Sequence, residues 1–158
     1  MVITIGIDPG KNYCAVSKFI DTTLVFAKTV RSKLPWPHGA YEAAMQAIQL
    51  LTDAPGLTLG ANVYCEFPVI RDTTISPNDQ LPMCFMDGLL IMGLRPRVFG
   101  TVNPVLWKGS IKPEIITERV KLRLSAEELA SCKTKDHNTF DAVGVGLVKL
   151  QRMHLGLA

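Results

Sequence analysis

No two of the chain's four cysteines form a C-x-x-C pair: Cys14, Cys65, Cys84 and Cys132 are scattered along it. The pattern argues against a zinc ribbon or a disulfide scaffold and fits a reducing compartment, so the protein is expected in the cytoplasm. Long apolar runs are also missing. The longest, Met83 to Leu94, is broken by Asp87, whereas a bilayer-spanning helix needs roughly 20 apolar residues. The N-terminus shows no basic segment followed by an apolar stretch and a small-residue cleavage site, so no secretory signal is read there. There are no repeats, low-complexity tracts or linkers that would divide the chain. Its 158 residues suit one domain, 1–158, with a single good core.

What is present is a folded, globular composition, 47% hydrophobic and 20% charged. The formal net charge of +3 is unevenly placed: residues 1–102 carry eight Lys/Arg and eight Asp/Glu, residues 103–158 nine and six. Should a few acids gather at one site, the remaining surface becomes more basic than the total suggests. Such a surface favours a polyanionic partner, nucleic acid first.

Val2 to Ile7 is short, rich in β-branched residues and bounded by Pro9-Gly10, which predicts a buried strand. Cys14–Ile20 and Thr23–Val30 read as two more, joined at Asp21-Thr22 as a hairpin. From Tyr41 to Ala54 the period changes, with Ala44, Ala47, Ile48 and Leu51 at helical spacing. A strand over Ala61–Phe67 follows, stopped by Pro68. Next come a helix over Asn78–Gly93 with Pro82 near its first turn, and a strand over Arg97–Val102. Pro113–Leu124 and a capping box at Ser125-Ala-Glu-Glu128 open two further helices. The last helix is expected from about Asn138 to Arg152, with Asn138 as N-cap and Asp141 as its capping partner. Strands joined through helices imply parallel neighbours in a mixed sheet.

Two buried strands end at carboxylates, Asp8 and Glu66. In sheets of this kind, chemistry sits outside the carboxyl ends of the strands. Parallel neighbours would hold both acids on one rim, where close anions need a cation or a shared proton. Oxygen ligands favour Mg²⁺ or Mn²⁺. The third element is KTKDHNTFDAVGVGL, 133–147. Gly144 and Gly146 weaken a helix, which suggests that it lies very close to the sheet and carries Asp141 toward that rim. Asp136 reaches the site only from non-helical backbone before the helix. His137 and Asn138, four and three residues before Asp141, compete with it as ligands, and His137 is also a candidate proton acceptor.

GIDPG at 6–10, the acid in VYCEFP at 63–68 and the late DHNTFDAVGVG together resemble the RuvC family of Holliday-junction resolvases. NPVLWKGSIKPE, 103–114, is similar to the Pro-x-x-Trp-Lys segment of its small phage-type members. The resemblance implies an RNase H-like fold: a five-stranded mixed sheet, three antiparallel strands then two parallel, with helices on both faces. It also implies four metal-binding positions. Asp8, Glu66 and Asp141 match three of them. The fourth departs, because Asn138 stands where cellular relatives have Asp or His. Asp136 is favoured there for its charge, with His137 second. The implied activity is symmetric phosphodiester hydrolysis of four-way DNA junctions by a homodimer using two Mg²⁺ or Mn²⁺ ions per site, with Asp8 bridging them.

Lys108, Lys112, Lys133 and Lys135 flank the acidic motifs, and Lys11 and Asn12 follow the first acid; all six are candidate phosphate contacts. Phe67 is a candidate for stacking on an unpaired base, or a core aromatic. The helix holding Met83, Met86, Leu89, Leu90 and Met92 is a candidate dimer interface, or ordinary core. A sugar-kinase-like ATPase also ends its first strand in Gly-Ile-Asp, but needs two such domains. A nuclease acting on flaps, other branched DNA or RNA, and a non-cleaving junction binder, remain as alternatives.

Overall fold

A computed structural model describes residues 1–67 and 77–153. Three strands come first, β1 (Ile3–Pro9), β2 (Tyr13–Ile20) and β3 (Thr23–Arg31). Helix α1 (His38–Asp53) leads to β4 (Asn62–Glu66), and α2 (Pro77–Leu94) to β5 (Val98–Val102). Four helices close the chain: α3 (Pro104–Trp107), α4 (Pro113–Lys121), α5 (Ala126–Ser131) and α6 (His137–Lys149). The sheet order is β3-β2-β1-β4-β5. The first three strands pair antiparallel, and β4 and β5 run parallel to β1. This is the expected RNase H-like architecture. Among the described residues no helix is long and apolar enough to cross a membrane.

The two faces of β1 explain the layering. Ile3, Ile5 and Ile7 point to one side, where they pack with Ala40, Ala44, Ala47 and Leu51 of α1 and Met86 and Leu90 of α2. Side chains alternate along a strand, so Thr4, Gly6 and Asp8 point to the other. There the core is built from Phe19, Trp107, Ile116, Val120, Phe140, Val143 and Leu147. Helices therefore cover both faces.

The close approach expected of α6 is made by two glycines, Gly6 and Gly146. A Cβ on Gly6 would lie 2.3 Å from the Ala142 carbonyl oxygen and 2.8 Å from the Gly146 nitrogen. A Cβ on Gly146 would lie 2.2 Å from the Phe19 ring. Gly144 has a different neighbour: its missing Cβ makes room for Trp107, 2.4 Å away. The Ser17 hydroxyl, on the same face as Gly6, donates to the Ala142 carbonyl at 2.8 Å and ties α6 to β2.

Element ends differ from expectation in instructive ways. β1 runs through Asp8 to Pro9, because both residues still pair with Ala15 and Cys14 of β2. α2 begins at Pro77, so Pro82 is an interior residue and not a first-turn one. α6 begins one residue before Asn138 and ends at Lys149. Its N-cap is Asp136, whose side chain accepts from the Thr139 N–H at 2.9 Å. The expected stop at Pro68 lies outside the described residues.

At the far end of the sheet Lys18 is fully buried. Its ammonium donates to the carbonyls of Leu51, Ala54 and Gly56 and to the Thr58 hydroxyl, at 2.6–3.0 Å. It thereby satisfies the C-terminal carbonyls of α1 that a helix leaves without partners.

Candidate active site

β1 and β4 are in register with Ile7 opposite Cys65, so Asp8 and Glu66 emerge side by side at the carboxyl ends of the strands. Both lie on the α6 face by alternation, and Asp141 enters that face from the second turn of α6. All three acids are buried: Asp8 is 7% exposed, Glu66 8% and Asp141 9%. Burial pushes each carboxyl above the usual range. For Asp8 the charges of Glu66 and Asp141 push further the same way.

The one cation in contact with these acids, among the described residues, is Lys108. Its Nζ lies 2.8 Å from Glu66 and donates to Asp141 Oδ2 at 2.6 Å. The acids in turn raise the ammonium's pKa against the effect of its burial. One positive charge thus faces three carboxylates, which leaves the pocket short of positive charge. Glu66 Oε2 is buried and receives no aligned donor, although the ammonium is close.

Lys108 owes its position to a short local device. Asn103 caps α3 by accepting from the Val105 N–H at 2.9 Å, Pro104 fits the first turn, and Trp107, 1% exposed, seats on Gly144. Gly109, at φ +60°, ends the turn in the left-handed region. The segment NPVLWKG thus points one lysine inward. This is the side chain expected to meet phosphate; here it meets acids.

Asp136, favoured at the fourth position, is committed elsewhere. Its Oδ1 accepts from Thr29 and Thr139, and its Oδ2 pairs with Arg31 at 3.0 Å. Both oxygens therefore face β3, two strands away from β1. His137 is exposed at the first position of α6. Asn138 is 5% exposed and sits one turn before Asp141 on the same face of α6.

Lys11 and Asn12 are exposed on the turn beside Asp8, where the Asn12 amide donates to the Ser32 carbonyl at 3.3 Å. Lys112 is exposed at the N-cap of α4. Lys133 and Lys135 are exposed on the loop before α6, which runs along β3 through a bridge between Ala27 and Cys132. Phe67 is half-buried just past Glu66, with its N–H bonded to the Val102 carbonyl at 3.0 Å.

Sequence reasoning missed Tyr13. Its hydroxyl reaches Asp8 Oδ2 at 3.4 Å, its ring covers Gly10 and the Arg31 guanidinium lies 5.2 Å over it. The signal was the turn itself: an antiparallel return four residues long brings Tyr13 back beside the acid it has just left.

Among the described residues no three His, Cys, Asp or Glu side chains form a ready-made metal cage. The donor set nonetheless fits a divalent cation of the oxygen-loving kind. It offers three buried carboxylates on one face, Asn138 one turn before Asp141, and a Glu66 Oε2 that accepts no aligned hydrogen bond.

No protein-family model matches the sequence, and no curated protein matches it. Solved structures do match by shape. Thermus thermophilus RuvC in complex with a Holliday junction substrate is 13% identical with a TM-score of 0.63, over 93% of this chain and 91% of that one. A second Thermus thermophilus RuvC structure is 12% identical with a TM-score of 0.62, over 97% and 99%. With a five-stranded mixed sheet in the order β3-β2-β1-β4-β5 and these matches over nearly its whole length, the chain has a RuvC-like, RNase H-type fold.

Proposed function

We propose that this chain is a structure-selective endonuclease that resolves four-way DNA junctions by metal-dependent hydrolysis. The observation that carries this reading is the meeting of Asp8, Glu66 and Asp141, all buried, on one rim of a RuvC-like sheet. The protein sharing this fold was solved with a Holliday junction substrate bound. A kinase-like reading has no support in the site, where carboxylates and a single lysine converge.

Asp8, Glu66 and Asp141 would hold the ions, with the Asn138 amide oxygen completing the set in place of Asp136. When bound, divalent ions supply Lewis acidity, lowering the pKa of an attacking water and stabilising charge on the leaving 3′ oxygen. The protein's own part is positioning. Gly6 and Gly146 fix the distance between α6 and the sheet, and Tyr13 orients the Asp8 carboxylate. Lys11, Asn12 and Lys112 offer donors to the phosphate backbone around the rim, and Lys133 and Lys135 extend that surface toward β3. Phe67 follows Glu66 directly, and we assign it to stacking on an unstacked base at the junction centre.

Two symmetric cuts call for two sites related by a two-fold axis, hence a homodimer. Met86 and Leu90, expected at that interface, are fully buried in the core instead. The outward face of α2 carries Leu81, Phe85 and Met92, 60%, 39% and 76% exposed, with the open Gly88 between them. Their four-three-four spacing makes one apolar stripe, which we assign to the dimer.

The test is incubation with a four-way junction, a flap, a duplex and an RNA–DNA hybrid in Mg²⁺ or Mn²⁺. Paired symmetric nicks confined to the junction are expected. Cutting of flaps or RNA instead would select a related nuclease, and binding without cutting a non-catalytic junction protein. Asp8→Asn should abolish cleavage while junction affinity, measured by gel shift, stays within a few-fold of wild type. Undiminished cutting by that variant would refute the site.

A further inference from the structure

We propose that the Lys108 ammonium is the resting cation of this site, filling the place a divalent ion takes, so that an ion enters only by displacing it. The inference rests on the nuclease reading of the three acids and adds a role for the lysine before any DNA arrives.

The geometry is that of an internal counter-ion. Nζ lies within 2.8 Å of both Glu66 oxygens and 2.6 Å from Asp141 Oδ2, on a side chain only 17% exposed. It is delivered there by rigid parts: α3 is capped at Asn103, Trp107 is locked on Gly144, and the Trp107 ring itself lies 4.9 Å from Nζ. A Mg²⁺ ion needs carboxylate oxygens at about 2.0–2.1 Å in a near-octahedral shell. An ammonium already bonded to two of the three acids leaves no room for that shell, and its charge repels the ion at the same point. The arrangement also accounts for the lack of a ready-made cage among the described residues: the carboxylates are arranged around a monovalent cation.

Displacement has a direction. Val105, next on α3, is 68% exposed, and Gly109 has open space where a side chain would be. A lysine released from the acids therefore swings toward solvent at the mouth of the site. Ion uptake then converts an internal counter-ion into an outward positive charge, and a polyanion that holds the lysine outside strengthens ion binding by the same factor.

The test uses the full chain with metal alone and no DNA. Mn²⁺ affinity is measured by calorimetry for wild type, Lys108→Met and Lys108→Arg, and the Lys108 ammonium resonance is followed by NMR in wild type as Mg²⁺ is added. We expect Lys108→Met to bind Mn²⁺ about tenfold or more tightly, and to lose thermal stability in chelator but regain it with Mn²⁺. Lys108→Arg, which keeps the charge, should bind no more tightly than wild type. The wild-type ammonium signal should pass from protected to rapidly exchanging as the ion saturates. Equal or weaker Mn²⁺ binding by Lys108→Met, or an ammonium signal unmoved at saturation, overturns the proposal, as does failure of wild type to take up Mn²⁺ at all. Should Lys108→Met not fold, the wild-type titration decides alone. The nuclease reading fails separately, when wild type takes up the ion with these signatures yet cuts none of the four nucleic acids.

Discussion

Asp87 shows what one carboxyl does inside an apolar wall. It sits on α2, 7% exposed, against the Cys65 thiol of β4, and its Oδ1 has no hydrogen-bond partner. The other titratable group near it is Cys14 on β2, itself kept neutral by burial. Burial pushes its pKa from 3.8 up to about 6. The folded chain therefore holds a proton more tightly than the unfolded one. Stability from this group is full below pH 4, falls as pH rises toward 6 and is lost above it, by about 3 kcal/mol. Asp87→Asn keeps the shape without the charge. We expect it to stabilise the protein by about 1–3 kcal/mol at pH 8 and hardly at all at pH 4, measured by urea denaturation at both values. That Asp8, Glu66 and Asp141 would share one face was legible because strand ends and a glycine-marked helix are local signals. Lys108 reads from the sequence as a phosphate contact, not as a partner of the acids, and Tyr13 goes unmarked, because each depends on where a turn aims a side chain. Asp136 is ambiguous for a related reason: a charge before a helix suits a metal or a cap equally well. In the structure it caps α6 and bonds to Thr29 and Arg31, more than a hundred residues away, contacts that no local pattern announces.

The decisive element is α6. Its contact with β1 is backbone on backbone at Gly6, so even one methyl group has nowhere to go. We expect Gly6→Ala to cost about 3 kcal/mol or more, toward the upper end for overpacking, with metal affinity falling too as Asp141 draws back from Asp8 and Glu66. Chemical denaturation and Mn²⁺ calorimetry on the same preparation read both effects. A loss under 1 kcal/mol would show that the two elements are not so tightly set. The hairpin, the parallel strands and the longer helices were readable from periodicity and turn residues. α3 was not: four residues show no period, and only its Asn-Pro opening and closing glycine mark it. Pro9 read as a strand end, but a proline can remain in a strand wherever its missing N–H is not required for the ladder, and pairing with Cys14 carries β1 one residue past its acid.

For the whole molecule, the proposed dimer stands or falls on the exposed apolar stripe of α2. Met92→Glu places a charge in its most exposed position without touching the core. If the stripe is the interface, we expect sedimentation to report a dimer for wild type and a monomer for this variant, and junction cutting to change from paired to single, unsymmetrical nicks. A wild-type monomer at micromolar concentration would remove the basis for symmetry. The excess of basic residues past residue 102 predicts junction binding that weakens steeply with salt, which gel shift at two ionic strengths can read.

The glycine seam between β1 and α6 also bears on how such a chain can diverge. The spacing of the acids is set by main-chain atoms at Gly6, Ala142 and Gly146, so most side chains in the two cores are free to be exchanged for others of similar bulk. The sequence of the two cores can therefore change widely without moving the acids, provided that a handful of hydrogen-only positions stay empty. Saturation mutagenesis should therefore find the narrowest tolerance at residues that perform no chemistry.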